Sequence, residues 1–414
     1  MIADSAELRT AVRVDRRRDC WEGIVMGRNC DPRRRDARPL RDEHESRSSL
    51  CAASSDVRWP INDRSIDKGR KCLDQARVQA ALMLRQLAFA MRISRALYAA
   101  AQLGIADLLA GGPMTSDRLA LAAGADAQSL RRLLRALVAY GVFEEDAPDR
   151  YCLNAAAELL RRDVPGSQRA AVLFTAGDMT WQLWADVLES VRTGHAVVER
   201  AFGKNIFERH AQNGEESALF GQAMAAFSAP LSLPLIAAYD FSSFSCIADV
   251  GGGTGRLLAD ILAANPEVRG ILFDLPDVST AAPPLLEASG VAGRCKLVTG
   301  NFFEGVPAGA DAYLLKHVLH DWDDARAITI ISNCRKAMAP SATLLIVERV
   351  LPERAEQGRA AEAYLVDLEM LVQAPGGRER TESEFQAILS AAGFTMTRIV
   401  PTTTPVIVIE ARPA

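Results

Sequence analysis

The side chain with the most chemistry to offer is His320, in Lys316-His317-Val318-Leu319-His320-Asp321-Trp322-Asp323-Asp324. An imidazole titrates close to neutrality, so it can take up or release a proton at working pH. Earlier in the chain stands a glycine cluster, Asp249-Val250-Gly251-Gly252-Gly253-Thr254-Gly255. Glycines let the backbone turn sharply and approach a ligand where a Cβ would clash. One feature offers a base and the other a turn suited to an adenosine-like cofactor. Each is weak evidence by itself.

Position gives them weight. Ile247-Ala248-Asp249-Val250 reads as a strand and 256–265 as a helix, so Gly251, Gly253 and Gly255 fall at a strand-to-helix turn. A nicotinamide fingerprint would place a third glycine where Arg256 stands. The spacing therefore favours a cofactor without a pyrophosphate in the turn. Asp274 closes the next strand in Leu272-Phe273-Asp274-Leu275-Pro276. Its carboxylate can accept hydrogen bonds from both ribose hydroxyls, or it can cap the helix that follows. Gly300-Asn301-Phe302-Phe303 closes a further strand, where Asn301 can bond the adenine amine and Phe302 cover its face. All three sets meet at the carboxyl edge of a sheet, where ligands bind in open α/β folds.

The elements that must hold these residues are legible as rhythm. After Asp240, short apolar strands at 246–250, 270–273, 296–298, 312–315 and 343–347 alternate with helices. That alternation predicts an α/β fold with a mostly parallel sheet covered on both faces. Strands at 395–400 and 405–410 predict a closing antiparallel hairpin. Residues 166–238 predict a helical region, a linker or a pocket lining, rich in aromatics including Trp181, Trp184, Phe207, Phe220 and Phe227. Phe220, Met224 and Phe227 share one helical face; most such stripes are core, and a pocket lining is the alternative.

Residues 76–165 predict a mainly helical winged-helix domain. Thr115 or Ser116 caps a helix to Ala123, Asp126 caps another from Ala127 to Tyr140, and 142–145 with 150–153 form a wing. Arg131, Arg132 and Arg135 would face phosphates if this were a DNA reader. Without a net basic excess they read instead as a solvated face on a domain that packs against a partner subunit. Residues 1–75 carry arginine clusters at 16–18 and 33–35 and almost no hydrophobic periodicity, predicting a disordered basic extension, with order beginning near Ala76.

Bulk properties exclude several classes. A net charge of −4 gives no reason to expect nucleic acid or an anionic membrane as partner. There is no run of about 18 uninterrupted apolar residues, and residues 1–7 lack the layout of a secretion signal. The 8 cysteines show neither CxxC pairs nor metal-ligand spacing, which suits buried thiols in a reducing cytoplasm.

Six motifs in order carry a family resemblance: Asp249 to Gly255, Phe273-Asp274-Leu275-Pro276, Gly300-Asn301-Phe302-Phe303, His320-Asp321-Trp322, Val347-Glu348-Arg349 and Gly376-Gly377-Arg378-Glu379-Arg380-Thr381. Over roughly residues 80–414 the chain resembles the small-molecule O-methyltransferases of the caffeic-acid and hydroxyindole type, with their bacterial polyketide-tailoring relatives. The resemblance implies a Rossmann-like, S-adenosylmethionine-dependent methyltransferase domain at 239–414, a winged-helix dimerisation domain and a homodimer. It implies His320 as general base, taking the proton of a phenolic or enolic hydroxyl so that the oxygen can attack the sulfonium methyl. By the same likeness Glu348 and Glu379 flank the imidazole, Asp321 supports it, and Lys316 contacts the adenine side. Met224 and Met370 match substrate-clamping positions, with Trp184, Phe220 and Phe227 shaping the pocket.

His317 falls outside the pattern and reads as core or surface. A metal held by His317, His320 and Asp321 would lack a compact oxygen cage, so no metal is expected. Asn301 stands where the family usually has Asp; it keeps an acceptor oxygen and loses the charge, which should weaken cofactor binding modestly. The expected acceptor is a hydroxylated aromatic. Methylation at nitrogen or carbon, a non-methylating variant and a winged-helix regulator are the competing readings.

Overall fold

The computed structural model describes residues 63–414 apart from 205, 207, 208 and 210–212, with side-chain surroundings from residue 75 except at 277 and 279. Most of the expected N-terminal extension, and Phe207, therefore lie outside the described residues. The helix Asp63–Gln102 begins earlier than the order expected at Ala76. The chain divides into two units, Met1–Leu82 and Met83–Ala414, and every candidate site residue belongs to the second.

Near its start, that unit holds the winged-helix outline. Strands β1 (Met114–Thr115), β2 (Phe143–Ala147) and β3 (Arg150–Leu153) form an antiparallel sheet in the order β1-β3-β2. Thr115 caps the helix Ser116–Ala123, and Asp126 caps Ala127–Ala139 through the Ser129 amide at 2.8 Å. Leu130, Leu134 and Leu137 bury the apolar stripe of that helix against Ile105, Leu119 and Tyr151. Burying such leucines contributes about 1.5–3 kcal/mol each, enough for a local core. Of the three arginines weighed for phosphate contact, Arg131 is tied to Asp149 at 3.1 Å, within the domain.

The main sheet is built from β4 (Cys246–Val250), β5 (Arg269–Asp274), β6 (Cys295–Thr299), β7 (Ala312–Lys316), β8 (Thr343–Leu351), β9 (Arg380–Thr381), β10 (Phe394–Pro401) and β11 (Val406–Pro413). Its order is β10-β11-β8-β7-β4-β5-β6, with β9 beside the end of β8. Strands β4 to β8 run parallel, and β11 joins β8 antiparallel. Side chains alternate faces along each strand. Ala248, Tyr313, Leu315, Leu344 and Ile346 enter one core, with the helices Asp324–Ala337 and Glu382–Ala391. Ile247, Leu314, Leu345 and Val347 enter the other, with the helices Arg256–Ala264 and Ala282–Ala288. The chain leaves β4 toward β5 and β6, then returns to place β7 on its other flank. That reversal opens a crevice at the carboxyl ends of β4 and β7.

The helix Gly214–Ala238 is long and apolar enough to cross a membrane by length and composition, although its apolar residues do not form an uninterrupted run. It contains Pro230 and Pro234 and packs against the helices Arg169–Thr175 and Arg256–Ala264. Among the described cysteines, Cys152, Cys246, Cys295 and Cys334 are free, with Cys334 buried.

Candidate active site

The glycine turn after β4 is shaped by close approach. Gly251, Gly253 and Gly255 have φ of 70°, 60° and 80°, the left-handed region that glycine enters without a Cβ penalty. A Cβ at Gly251 would lie 2.9 Å from Val318, and one at Gly252 would lie 2.4 Å from Leu272 and 2.7 Å from the Asp249 carboxyl. Over Gly253 nothing stands within 4 Å. Asp274 does not cap a helix. Its Oδ2 accepts from the Gly253 amide at 2.8 Å and its Oδ1 from the Leu275 amide at 2.7 Å. Each oxygen keeps a second lone pair for a ribose hydroxyl. Phe302 stands beside Gly251, its ring edge-on to Phe303 and Trp322. The Asn301 Oδ1 accepts from the Phe303 amide at 3.0 Å, so this side chain also builds the turn that presents Phe302. An open glycine floor, a carboxylate at one end and an aromatic wall fit an adenosine-bearing cofactor.

Asp249 lies deeper, only 2 % exposed. Burial pushes its carboxyl up to about 7, with the nearby Lys316 ammonium opposing the shift. Burial likewise lowers Lys316, which Asp249 and Glu348 partly restore. Lys316 Nζ donates to Ser228 Oγ at 2.7 Å. That bond draws the helix Gly214–Ala238 over the end of β7.

His317 and His320 sit one turn further on. His317 donates its amide to the Val347 carbonyl at 3.1 Å, prolonging the β7–β8 ladder, and then turns the chain at φ 52°. A non-glycine residue held there costs on the order of 1–2 kcal/mol. The turn aims the amides of Val318 and Leu319 at Glu348 Oε1, at 3.0 and 3.1 Å. The short 3-10 turn Leu319–Asp321 then brings His320 back to the same carboxylate. His320 Nδ1 lies 3.1 Å from Glu379 Oε1 and 3.4 Å from Glu348 Oε2, while Nε2 lies 3.5 Å from Asp321 Oδ1.

From the other side, Gly376 to Thr381 grips this turn residue by residue. Arg378 donates its amide to the His320 carbonyl at 2.7 Å. The Glu379 amide is fixed by Asp367 Oδ1 at 2.9 Å. Arg380 is fully buried and donates to the carbonyls of Leu319 and Trp322 at 2.7 Å each, with Asp324 as its ion-pair partner at 2.9 Å.

The charges around His320 decide its protonation. Burial opposes an imidazolium, but the carboxylates of Glu348, Asp321 and Glu379 outweigh it and raise the ring to about 10. For Glu348, burial is outweighed by His320 and by the bond from His317, which bring it to about 2. Burial raises Glu379, against the pull of His320. It raises Asp321 to about 7, again against His320. His317 goes the other way: burial takes it down to about 3 although Glu348 favours its charge. At neutral pH the ligand-free cluster therefore pairs a charged His320 with ionised Glu348, beside a neutral His317. The donor atoms of His317, His320 and Glu348 lie within 4.8 Å of one another, but both Nδ1 atoms face carboxylates and a charged His320 has no lone pair to offer a cation.

Residues 184–395 match the family model of the O-methyltransferase domain, and residues 85–163 that of the O-methyltransferase dimerisation domain. A phenazine O-methyltransferase of Lysobacter antibioticus is 42 % identical over 331 residues, 80 % of this chain and 96 % of that one. The chain belongs to the O-methyltransferase family. Its relatives include an 8-amino-8-demethylriboflavin N,N-dimethyltransferase of Streptomyces davaonensis, 36 % identical over 80 % of this chain and 95 % of its own. A crystal structure of an O-methyltransferase from neocarzinostatin biosynthesis, with S-adenosylmethionine and 2-hydroxy-5-methyl naphthoic acid, has a TM-score of 0.67. Its identity is 34 %, over 80 % of this chain and 98 % of that one.

Within this O-methyltransferase, the residues expected to hold the acceptor are more scattered than those around His320. Met224 lies one helical turn before Ser228 and so shares its face toward Lys316. Phe220 packs edge-on against Phe174. Phe227 is 42 % exposed, while the buried face of its helix is Ala223, Ala226, Leu231 and Leu235. The Phe220-Met224-Phe227 stripe is thus not core. Trp184 donates its indole N–H to Glu369, next to Met370 on the helix Ala361–Gln373, and burial raises that carboxyl to about 7. Sequence reasoning missed His317, Ser228, Glu369 and Arg380. For Arg380 a signal existed, since it lies inside the motif Gly376 to Thr381.

Proposed function

We propose that this chain is an S-adenosylmethionine-dependent O-methyltransferase acting on a phenolic or enolic hydroxyl of an aromatic, polyketide-like small molecule, with His320 as the base. The observation that carries the reading is the clamp on His320: Nδ1 held by Glu379 at 3.1 Å, beside the crevice of the glycine turn. With Nδ1 occupied, Nε2 is the nitrogen left for the acceptor. The cofactor, when bound, supplies an electrophilic methyl group on a sulfonium. Asp274, the glycine floor and Phe302 would hold its adenosine part, and Asp249 and Lys316 would set the charge beneath it.

In its neutral form His320 Nε2 would take the hydroxyl proton, while the methyl moving to the acceptor oxygen would leave its bonding pair on the cofactor's sulfur, which departs as a neutral thioether. An ordinary phenol has a pKa of about 10, matched to His320 at about 10, so the proton moves between them with little driving force either way. At neutral pH its carboxylates hold His320 protonated, so only the small neutral fraction can act as the base. Holding the acceptor oxygen in line should supply much of the remaining acceleration.

The dimerisation model at 85–163 supports a homodimer. So do Met83, Leu84, Leu87, Phe89 and Met91, which stand 44–66 % exposed on one long helix; apolar surface on that scale calls for a partner. Free cysteines suit a reducing compartment such as the cytoplasm.

The test is transfer of labelled methyl from S-adenosylmethionine to a panel of phenols and aromatic amines, for wild type and His320→Ala. Label on oxygen, falling about 100-fold or more in the variant, is expected. Label on nitrogen would replace this reading with that of the N-methylating relative.

A further inference from the structure

We propose that His317 is a positioning residue for the base. Its ring fixes the plane of His320, and its Nδ1–H occupies the Glu348 oxygen nearest His320, leaving Glu379 as the direct partner of the base. The inference rests on reading His320 as the proton acceptor, and deepens it.

Four observations converge. The first is backbone: of the described non-glycine residues only Asp149, His317 and Ala360 have positive φ. Strain of this kind gathers at functional sites when the surroundings enforce it. At His317 it yields the two amides that grip Glu348 Oε1. The second is the shared oxygen, since His317 Nδ1 lies 3.2 Å from Glu348 Oε2 and His320 Nδ1 lies 3.4 Å from the same atom. An ionised carboxylate only accepts, so the neutral His317 must carry its proton on Nδ1. The third is stacking: the two rings lie 5.2 Å apart, inclined by 20°. The fourth is burial, with the His317 side chain 18 % exposed and Glu348 fully buried.

The consequence is electrostatic. Oε1 of Glu348 already takes two amides. Its charge toward His320 is exerted mainly through Oε2, and the His317 N–H neutralises part of it. Removing that donor frees Oε2 for His320, so the imidazolium is held more tightly and the base becomes harder to deprotonate. The groups facing the pair are Lys316 and Asp321 on their own segment, Glu348 and Arg349 on β8, and Glu379 and Arg380 at β9.

The chain has 5 histidines, so imidazole 15N resonances of the labelled full-length protein can be followed individually across pH. Wild type, His317→Gly and His317→Asn are compared, because both replacements tolerate the left-handed turn and Asn keeps an N–H donor. In wild type the His317 ring should stay neutral with Nδ1 protonated down to about pH 5, well below the ordinary imidazole value. The His320 midpoint should rise by about one pH unit in His317→Gly and by less in His317→Asn. A His317 that titrates near about 6.5, or a His320 midpoint unmoved in both variants, overturns the proposal. If the glycine variant does not unfold cooperatively, the wild-type His317 ring decides: neutral with Nδ1 protonated supports the proposal, and titration near about 6.5 overturns it. The pH profile of methyl transfer, taken on the same proteins, separates the two readings. An acid limb that tracks the midpoint supports both, and one that stays fixed while the midpoint moves overturns His320 as the base and leaves the positioning role intact.

Discussion

Three carboxylates surround one imidazole at His320, and their combined field makes it a stronger base than a solvent-exposed histidine. The same field keeps it protonated over the neutral range, so free base becomes available only as pH rises toward about 10. Methyl transfer to a phenol should accordingly climb about tenfold per pH unit from neutrality and level off near pH 10. Initial rates at saturating cofactor across that range check this; a limb at about 6.5, the ordinary imidazole value, would mean that the carboxylates do not govern His320. At this scale the motifs already indicated His320, Glu348, Glu379 and Asp274. What they could not indicate was His317, because its part depends on the sign of one dihedral and on an oxygen shared with a residue three positions away. Asn301 was read as a contact to adenine, and the structure adds a turn-building bond that only the folded backbone displays.

The setting of His320 is also a property of two short segments pressed together. Gly377 is where they touch: a Cβ there would lie 2.6 Å from Ala374 Cβ and 2.8 Å from the His320 carbonyl oxygen. Gly377→Ala must therefore push the catalytic turn away from Glu379. Overpacking of this kind costs about 1–3 kcal/mol, and a displacement near 1 Å lowers kcat on the order of 100-fold. Denaturant unfolding together with kinetics would show both; a variant stable and fully active would mean that the turn yields without cost. Elements with a clear rhythm were legible, and the parallel strands stand within a residue or two of their expected bounds, apart from β8. That strand runs on to Leu351 where the apolar run stops at Val347, because pairing with β9 and β11 carries Glu348 and Arg349 through regardless of polarity. Strand β1 has two residues, too few for any period to register.

For the molecule as a whole, the buried titratable groups set a pH dependence of stability. His320 is raised from an unfolded value of about 6.5 to about 10, so its contribution is full below the first value and lost as pH rises through the second. Asp249, Asp321 and Glu369 are raised to about 7, so the folded state holds their protons over the acidic range and is weakened as they ionise. His317 and Glu348, both lowered, act in the opposite sense, and only below neutrality. Between about pH 7.5 and 8.5, above the three acids and below the raised Cys295 and Cys334 thiols, His320 dominates, and unfolding free energy should fall by up to about 1.4 kcal/mol per pH unit. Urea titrations at three pH values would measure the slope, and His320→Gln should flatten it; an unchanged slope would assign the effect elsewhere.

Strand β11 adds a condition of another kind. Its Ile407 pairs with Glu348, and its neighbours run along the outer edge of β8 from Leu344 to Arg349. A ribosome makes Val406–Pro413 after every other part of the site. A nascent chain halted just before them would carry Glu348 on a β8 with one flank unpaired, next to His320 and Glu379. A chain lacking Val406–Pro413 should therefore hold Glu348 less firmly beside His320, and its methyl transfer should fall with that loss.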